Sequence, residues 1–137
     1  PEPLEEHNRK LQRKYAEIKK NEQRCETYMI DDARLVVAAY GTTARISRSA
    51  VNNLRAEGLK VGMIRPITIW PYPFETFKRL PSTVEHILVS EMNAGQMIDD
   101  VKIATSCKYP ISFYGRMGGF APSVREIEDE CRRILGQ

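Results

Sequence analysis

Two short stretches of this chain carry residue types that could hold an anion: Gly41-Thr42-Thr43 and Asn93-Ala94-Gly95-Gln96. Each follows an apolar run and precedes a helical pattern. A strand that breaks at glycine and turns straight into a helix presents free backbone N–H groups, and the helix dipole favours negative charge there. Gly41 frees the turn sterically, while Thr42 or Thr43 is placed to cap the helix and to offer a hydroxyl. Phosphate or carboxylate binding is the chemistry such turns perform. A plainer account competes with it: every α/β domain needs glycines and caps at these junctions simply to turn the chain. With no Gly-x-Gly-x-x-Gly after the first strand and no Walker pattern, the plainer account is the stronger.

Other reactive residue types give weaker signals. Asp99 and Asp100 are neighbours in the first turn of a helical stretch. Adjacent helix positions point about 100° apart, so this pair suits the helix dipole better than a metal. Cys25, Cys107 and Cys131 are dispersed and form no Cys-x-x-Cys pair, which argues against zinc or an iron–sulfur cluster held by this chain alone. Thiols kept reduced in a cytoplasmic protein are the better reading. His7 lies in a charged helix and His86 just ahead of an apolar run, neither beside a nucleophile in sequence. Trp70, Tyr72, Phe74 and Phe77 crowd with Pro71 and Pro73 into one loop and short helix. Some of these rings must fill the core, yet rings this dense at a strand end also suit a contact surface for another domain or subunit.

The elements that position these residues follow from periodicity. Residues 2–23 are charged, with Leu4, Leu11, Tyr15 and Ile18 in a narrow helical stripe, so this helix leans on other structure rather than nucleating a core. Residues 26–30 have strand character. Strands are then predicted over 34–40, 60–65, 86–91 and 111–114. Helices are predicted from 43 to about 58, over 74–80, and from 96 to about 107. In the second of the long helices Ile46, Ala50, Val51 and Leu54 point inward. Ser123 with Glu126 three positions on forms a capping-box pattern ahead of a last helix carrying Val124, Ile127, Cys131 and Ile134. This alternation means βαβ units: a three-layer αβα sandwich on a mostly parallel five-stranded sheet.

At 137 residues the chain is the size of one domain. Its net charge of +3 is small, and its basic residues surround two helices (Arg9, Lys10, Arg13, Lys14; Arg45, Arg48, Arg55, Lys60) without interleaved aromatics. These are solvated faces, which leaves nucleic acid out as a partner. The longest apolar runs are strand-sized, far from the roughly 20 residues of a membrane span, and no membrane partner is expected. The chain opens at Pro1 in a charged helix without methionine. It is therefore expected to be a piece of something longer.

Five motifs, in order, carry a family resemblance: Val37-Ala38-Ala39-Tyr40-Gly41-Thr42-Thr43-Ala44-Arg45-Ile46, Gly58-Leu59-Lys60-Val61-Gly62, Arg65-Pro66-Ile67-Thr68-Ile69-Trp70-Pro71, Glu91-Met92-Asn93-Ala94-Gly95-Gln96-Met97 and Tyr114-Gly115-Arg116-Met117-Gly118-Gly119. From about Arg13 onward the chain resembles the C-terminal domain, itself transketolase C-terminal-like, of the thiamine-diphosphate-containing subunit of 2-oxoacid:ferredoxin oxidoreductases. The resemblance implies that residues 1–25 are a connector helix from a catalytic domain and that 26–137 form the α/β domain. The first strand is then antiparallel, and strand 34–40 lies between strands 60–65 and 86–91. The topological switch falls between residues 41–43 and 93–96, with Gly41, Thr42, Thr43, Asn93, Gly95 and Gln96 as candidate anion-binding residues.

The parent enzyme implied by the resemblance oxidatively decarboxylates a 2-oxoacid on thiamine diphosphate with magnesium. It passes electrons through iron–sulfur clusters to ferredoxin and transfers the acyl group to coenzyme A. The cofactor-activating glutamate and the cluster cysteines belong to other domains or subunits, so this chain holds no catalytic or metal residue. It is expected to act as scaffold and interface, with Trp70, Tyr72, Phe74 and Phe77 as candidate contact residues. The ending Phe113-Tyr114-Gly115-Arg116 resembles the branched-chain (2-oxoisovalerate) enzymes. The alternatives are the equivalent domain of a transketolase or of a 2-oxoacid dehydrogenase and, in a different class, a freestanding small-anion-binding regulatory module.

Overall fold

The computed structural model describes all residues 1–137. Helix α1 (Glu2–Asn21) is followed by β1 (Cys25–Tyr28), β2 (Leu35–Ala39), α2 (Gly41–Ala56), β3 (Val61–Pro66), α3 (Phe74–Lys78), β4 (His86–Glu91), α4 (Met97–Ala104), β5 (Ile111–Gly115) and α5 (Val124–Leu135). The strands form one sheet in the order β1-β3-β2-β4-β5. Strand β1 runs antiparallel to β3, while the β2–β3, β2–β4 and β4–β5 pairings are parallel. The sheet is thus mixed, its one antiparallel strand at an edge, as the resemblance implied. The position of β2 between β3 and β4 also agrees with that expectation.

Strand β2 reads Leu-Val-Val-Ala-Ala, and every residue of it is buried. A continuous apolar run is what a central parallel strand needs, because helices cover both faces of the sheet. Period-two alternation then divides its side chains. Val36 and Ala38 join Ile64, Ile87 and Val89 under Phe77, Met97, Val101 and Ala104. Leu35, Val37 and Ala39 join Val61, Met63 and Leu88 under Ala44, Ala50, Val51, Leu54, Ile127 and Cys131. Helices α3 and α4 therefore cover one face and α2 and α5 the other, giving the three-layer sandwich.

Element ends differ from the periodicity reading where backbone geometry decides. Helix α2 begins at Gly41, two residues before the predicted start. Gly41 has φ +56°, so the chain enters the helix directly from a left-handed residue. Neither Thr42 nor Thr43 caps it: the N-cap is Tyr40, with no side-chain bond, and Thr43 is buried against the core. Ile46, predicted inward, is only half-buried, while Thr43, Ala44 and Ser47 take the inner positions with Ala50, Val51 and Leu54. Helix α4 is shorter than predicted at both ends, and the turn after it holds Ser106 and Cys107 at positive φ. At α5 the predicted capping box is formed, with Glu126 N–H donating to Ser123 Oγ and Ser123 N–H donating to the Glu126 carboxylate.

A Cβ at position 41 would meet nothing within 4 Å, so the expected penalty of Gly41→Ala is conformational alone. It amounts to about 1 kcal/mol, the cost of holding a non-glycine residue left-handed. A urea-unfolding midpoint that does not move would show that the turn tolerates a Cβ and relaxes to a different entry geometry.

Candidate functional site

The carboxyl ends of β2 and β4, where the strand order switches, are where an open α/β sheet receives a ligand. Residues 41–43 and 93–96 do flank this point. The structure reveals what lies between them. Glu91, the last residue of β4, is fully buried. Its Oε1 accepts from the backbone N–H of Gln96 at 3.1 Å and of Ile98 at 3.1 Å. Its Oε2 accepts from Met97 N–H at 3.0 Å, from Gln96 N–H at 3.3 Å and from the Asn93 side-chain amide at 3.0 Å.

These are the orphan donors of the first turn of α4, which the helix itself leaves unpaired. An internal carboxylate therefore occupies the place where an external anion would bind, and its charge complements the helix dipole. Asn93 extends the closure: its side-chain oxygen accepts from Gly95 N–H at 2.7 Å, and its amide also reaches the Tyr40 hydroxyl at 3.4 Å. The β2 and β4 ends are thereby joined across the switch point. Asn93, Gly95 and Gln96 are brought together, but around Glu91.

Two glycines make this packing possible. Gly95 sits at φ +105°, and a Cβ there would press on Ile98 and Phe113. Gly115, at the end of β5, lies so close to the Asn93 carbonyl and the Phe113 ring that a Cβ has no room.

On the other side of the switch, Gly41 and Thr42 are exposed, and a cavity of about 200 Å³ lies beside them, lined by Arg45, Arg48 and Arg65 among others. Two of these arginines are already engaged. Glu26 pairs with Arg48 at 2.6 Å and with Arg65 at 3.3 Å, and Arg48 also lies over the Tyr28 ring, 4.1 Å from its centroid. The Arg48 guanidinium, then that of Arg65, holds the Glu26 carboxyl below its usual range.

The aromatic group divides sharply. Phe77 is 1% exposed and Tyr72 3%, both in the core under β2 and β4; Phe74 is half-buried. Trp70 is 55% exposed, beside exposed Ile67 and Ile69. Tyr15 of α1 meets the Trp70 ring edge-on at 5.7 Å. The end of α1 is pinned to the same loop, Arg24 N–H donating to Thr68 Oγ1 at 3.0 Å and Ile67 N–H donating to the Arg24 carbonyl at 2.9 Å. Yet no residue of α1 is buried. Of its stripe, Leu11 and Ile18 are half-buried, while Leu4 and Tyr15 stay exposed.

No nucleophile is assembled anywhere. Cys131 is buried, and burial pushes its thiol up to about 12; burial also raises the half-buried Cys25. His86 shares a 2.9 Å hydrogen bond with Ser112 Oγ, and burial lowers its pKa. No three His, Cys, Asp or Glu side chains are grouped to hold a metal, and no helix is long and apolar enough to cross a membrane.

Fold and site together define a doubly wound α/β domain whose switch point is filled on its α4 side by its own Glu91. The chain belongs to the family of pyruvate:ferredoxin oxidoreductase core domain II, whose model matches residues 33–127. It is 42% identical over 134 residues to ketoisovalerate oxidoreductase subunit VorB of Methanothermobacter marburgensis, an alignment covering 98% of this chain and 38% of that protein. It is 32% identical over 134 residues to 2-oxoglutarate synthase subunit KorA of Methanocaldococcus jannaschii, covering 96% of this chain and 35% of that one.

Among solved structures, the 2-oxoglutarate:ferredoxin oxidoreductase of Magnetococcus marinus superposes with a TM-score of 0.82 at 24% identity, over 97% of this chain and 23% of that chain. A split-gene transketolase superposes with a TM-score of 0.66 at 15% identity, over 82% and 41%. Both likenesses are of fold. The transketolase alternative shares the architecture, whereas the family match is to the ferredoxin-linked enzymes. The chain spans little more than a third of the length of its VorB relatives.

Proposed function

We propose that this chain is the second core domain of one subunit of a 2-oxoacid:ferredoxin oxidoreductase, and that it acts there as scaffold and interface. Residues 1–25 would be the connector from a neighbouring catalytic domain, and 26–137 the domain that this connector joins. The parent reaction is the oxidative decarboxylation of a 2-oxoacid to an acyl-coenzyme A, with electrons delivered to ferredoxin. A branched-chain 2-oxoacid is the proposed substrate, in keeping with the names of the VorB relatives and with the Phe113-Tyr114-Gly115-Arg116 ending. The setting is the cytoplasm.

The observation that carries this reading is Glu91: the helix terminus best placed to hold a cofactor's phosphates is saturated from within. The residues present do not fit thiamine diphosphate with magnesium, because no free carboxylate faces an open anion site. They do not fit an iron–sulfur cluster either, since the three cysteines stand apart. Those groups, and the coenzyme A chemistry, fall to other domains and subunits. Gly41 and Thr42, with Arg45 beside them, form the half of the proposed anion site that stays open, while Thr43 is buried in the core; this half is suited to weak contact with a carboxylate of a neighbour rather than to a cofactor.

Calorimetry of the 137-residue chain with thiamine diphosphate and magnesium tests the assignment. No saturable heat is expected at millimolar cofactor. Stoichiometric tight binding would overturn the scaffold reading and favour a freestanding ligand-binding module.

A further inference from the structure

The sheet ends in two very different edges. A strand at an edge shows a row of unpaired N–H and C=O groups, which proteins blunt with charges, prolines, bulges or a cover. Strand β1 is short and carries Glu26, which pairs with Arg48 and Arg65. Strand β5 reads Ile111-Ser112-Phe113-Tyr114-Gly115, with neither a charge nor a proline. Its register on β4 runs without a bulge, and β4 is the one element in extensive contact with it.

Which backbone groups of β5 face outward follows from its ladder. Ile87 N–H donates to the Pro110 carbonyl at 3.0 Å, and Arg116 N–H donates to the Glu91 carbonyl at 3.2 Å. Along a strand, the N–H and C=O of one residue point to the same side, and successive residues alternate. Pro110, Ser112, Tyr114 and Arg116 therefore turn their groups toward β4. Ile111, Phe113 and Gly115 turn theirs away from the sheet. Such a row is complementary to the backbone of another extended segment.

The strand's own sequence selects that segment. An antiparallel pairing about a twofold axis at Phe113 sets Phe113 against the partner's Phe113 and Ile111 against the partner's Gly115. Each outward N–H then meets an outward C=O, because these positions become the hydrogen-bonded pairs of an antiparallel ladder. The same register lays Met117, which is 62% exposed, against the partner's Tyr109. No charge within β5 opposes its like, and Arg116, held by Glu126 at 3.3 Å, falls opposite the partner's Pro110. We propose that β5 is a dimerisation edge, to which a second copy of this chain adds its own β5, joining two five-stranded sheets into one. The contact is isologous, so it closes at two copies and does not run on into a filament. It uses β5 and its flanks alone, and its failure would leave the scaffold reading untouched.

Sedimentation equilibrium of the 137-residue chain, from micromolar to millimolar, is combined with hydrogen exchange resolved by residue. The mass is expected to rise from one chain to two, since a contact of this size lies at the weak end of specific interfaces. The amides of Ile111, Phe113 and Gly115 should slow roughly tenfold or more with concentration, while those of Ser112, Tyr114 and Arg116 stay as protected as before. Met117→Lys, an exposed change beside the partner's Lys108, should weaken dimerisation about tenfold, whereas Ile103→Lys, on the outer face of α4 and 67% exposed, should leave it unchanged. Circular dichroism melts check that both variants fold. A chain that stays monomeric at millimolar concentration would overturn the proposal. So would a dimer in which the three outward amides exchange as in the monomer, or equal effects of the two lysine variants. Protection of those amides that appears only when the partner subunits of the complete protein are added would give the edge to a different chain and would equally overturn it.

Discussion

Glu91→Ala should destabilise this domain by about 3 kcal/mol or more, the largest single-residue effect expected in the chain. The substitution removes the acceptor for three backbone N–H groups and for the Asn93 amide. Hydrogen bonds to charged groups contribute about 1.5–3 kcal/mol each, and leaving the donors buried and unpaired adds their desolvation cost. A cavity remains where the carboxylate was, at the junction of β4 and α4. Glu91→Gln keeps the shape and one acceptor oxygen but turns an NH₂ toward N–H donors, so it should recover only part of the loss. Urea unfolding followed by circular dichroism measures both. Hydrogen exchange should locate the damage, with the amides of Gln96, Met97 and Ile98 losing protection first. A loss below about 1 kcal/mol for Glu91→Ala would show that the turn is satisfied by other means.

Trp70→Glu should separate folding from assembly. The ring is 55% exposed, and its recorded aromatic contact is with Tyr15 of a helix that buries none of its own residues. The fold should therefore lose less than about 0.5 kcal/mol, as exposed substitutions usually do. A tryptophan at the centre of an interface contributes about 2 kcal/mol or more to association, on the order of thirtyfold in affinity. Ile67, Ile69, Leu4 and Tyr15 are the other exposed apolar side chains of this loop and of α1. In the complete subunit, co-purified with its partners, Trp70→Glu should shift gel-filtration and mass-photometry distributions toward dissociated species. Normal assembly with this variant would confine the aromatic loop to a structural role.

How much of this was legible in the sequence differs from element to element. Strand β4 and the capping box of α5 were read residue for residue, because an apolar run between turn signals and a Ser-x-x-Glu pattern are local. The place of β2 between β3 and β4 came from the family resemblance, whereas the seats of β1 beside β3 and of β5 beside β4 are seen only in the structure; no local signal contains strand order. The start of α2 was misplaced because threonines were given the capping role, while the left-handed Gly41 lets the helix begin without one.

The switch point lies between residues 41–43 and 93–96 as expected, but the internal carboxylate on its α4 side was missed. Glu91 stood in a quoted motif as the end of a strand, and no spacing rule says that a strand-terminal acid folds back onto the next helix. A glutamate closing His86-Ile87-Leu88-Val89-Ser90, five residues before a helix, was the available signal. The four rings looked alike in sequence, and only the tertiary packing of α3 under the sheet separates buried Tyr72 and Phe77 from exposed Trp70.

The central claim is that this chain supports, without performing, the chemistry of a 2-oxoacid:ferredoxin oxidoreductase. Its most direct test is an activity assay of the complete protein that contains this segment, purified with its partner subunits under anaerobic conditions. Ferredoxin reduction is followed with coenzyme A and each of 3-methyl-2-oxobutanoate, pyruvate and 2-oxoglutarate. The account predicts coenzyme A-dependent reduction that is fastest with the branched-chain acid and absent from the 137-residue chain alone. Turnover by the isolated chain, or a complete protein that reduces ferredoxin with no 2-oxoacid, would contradict it.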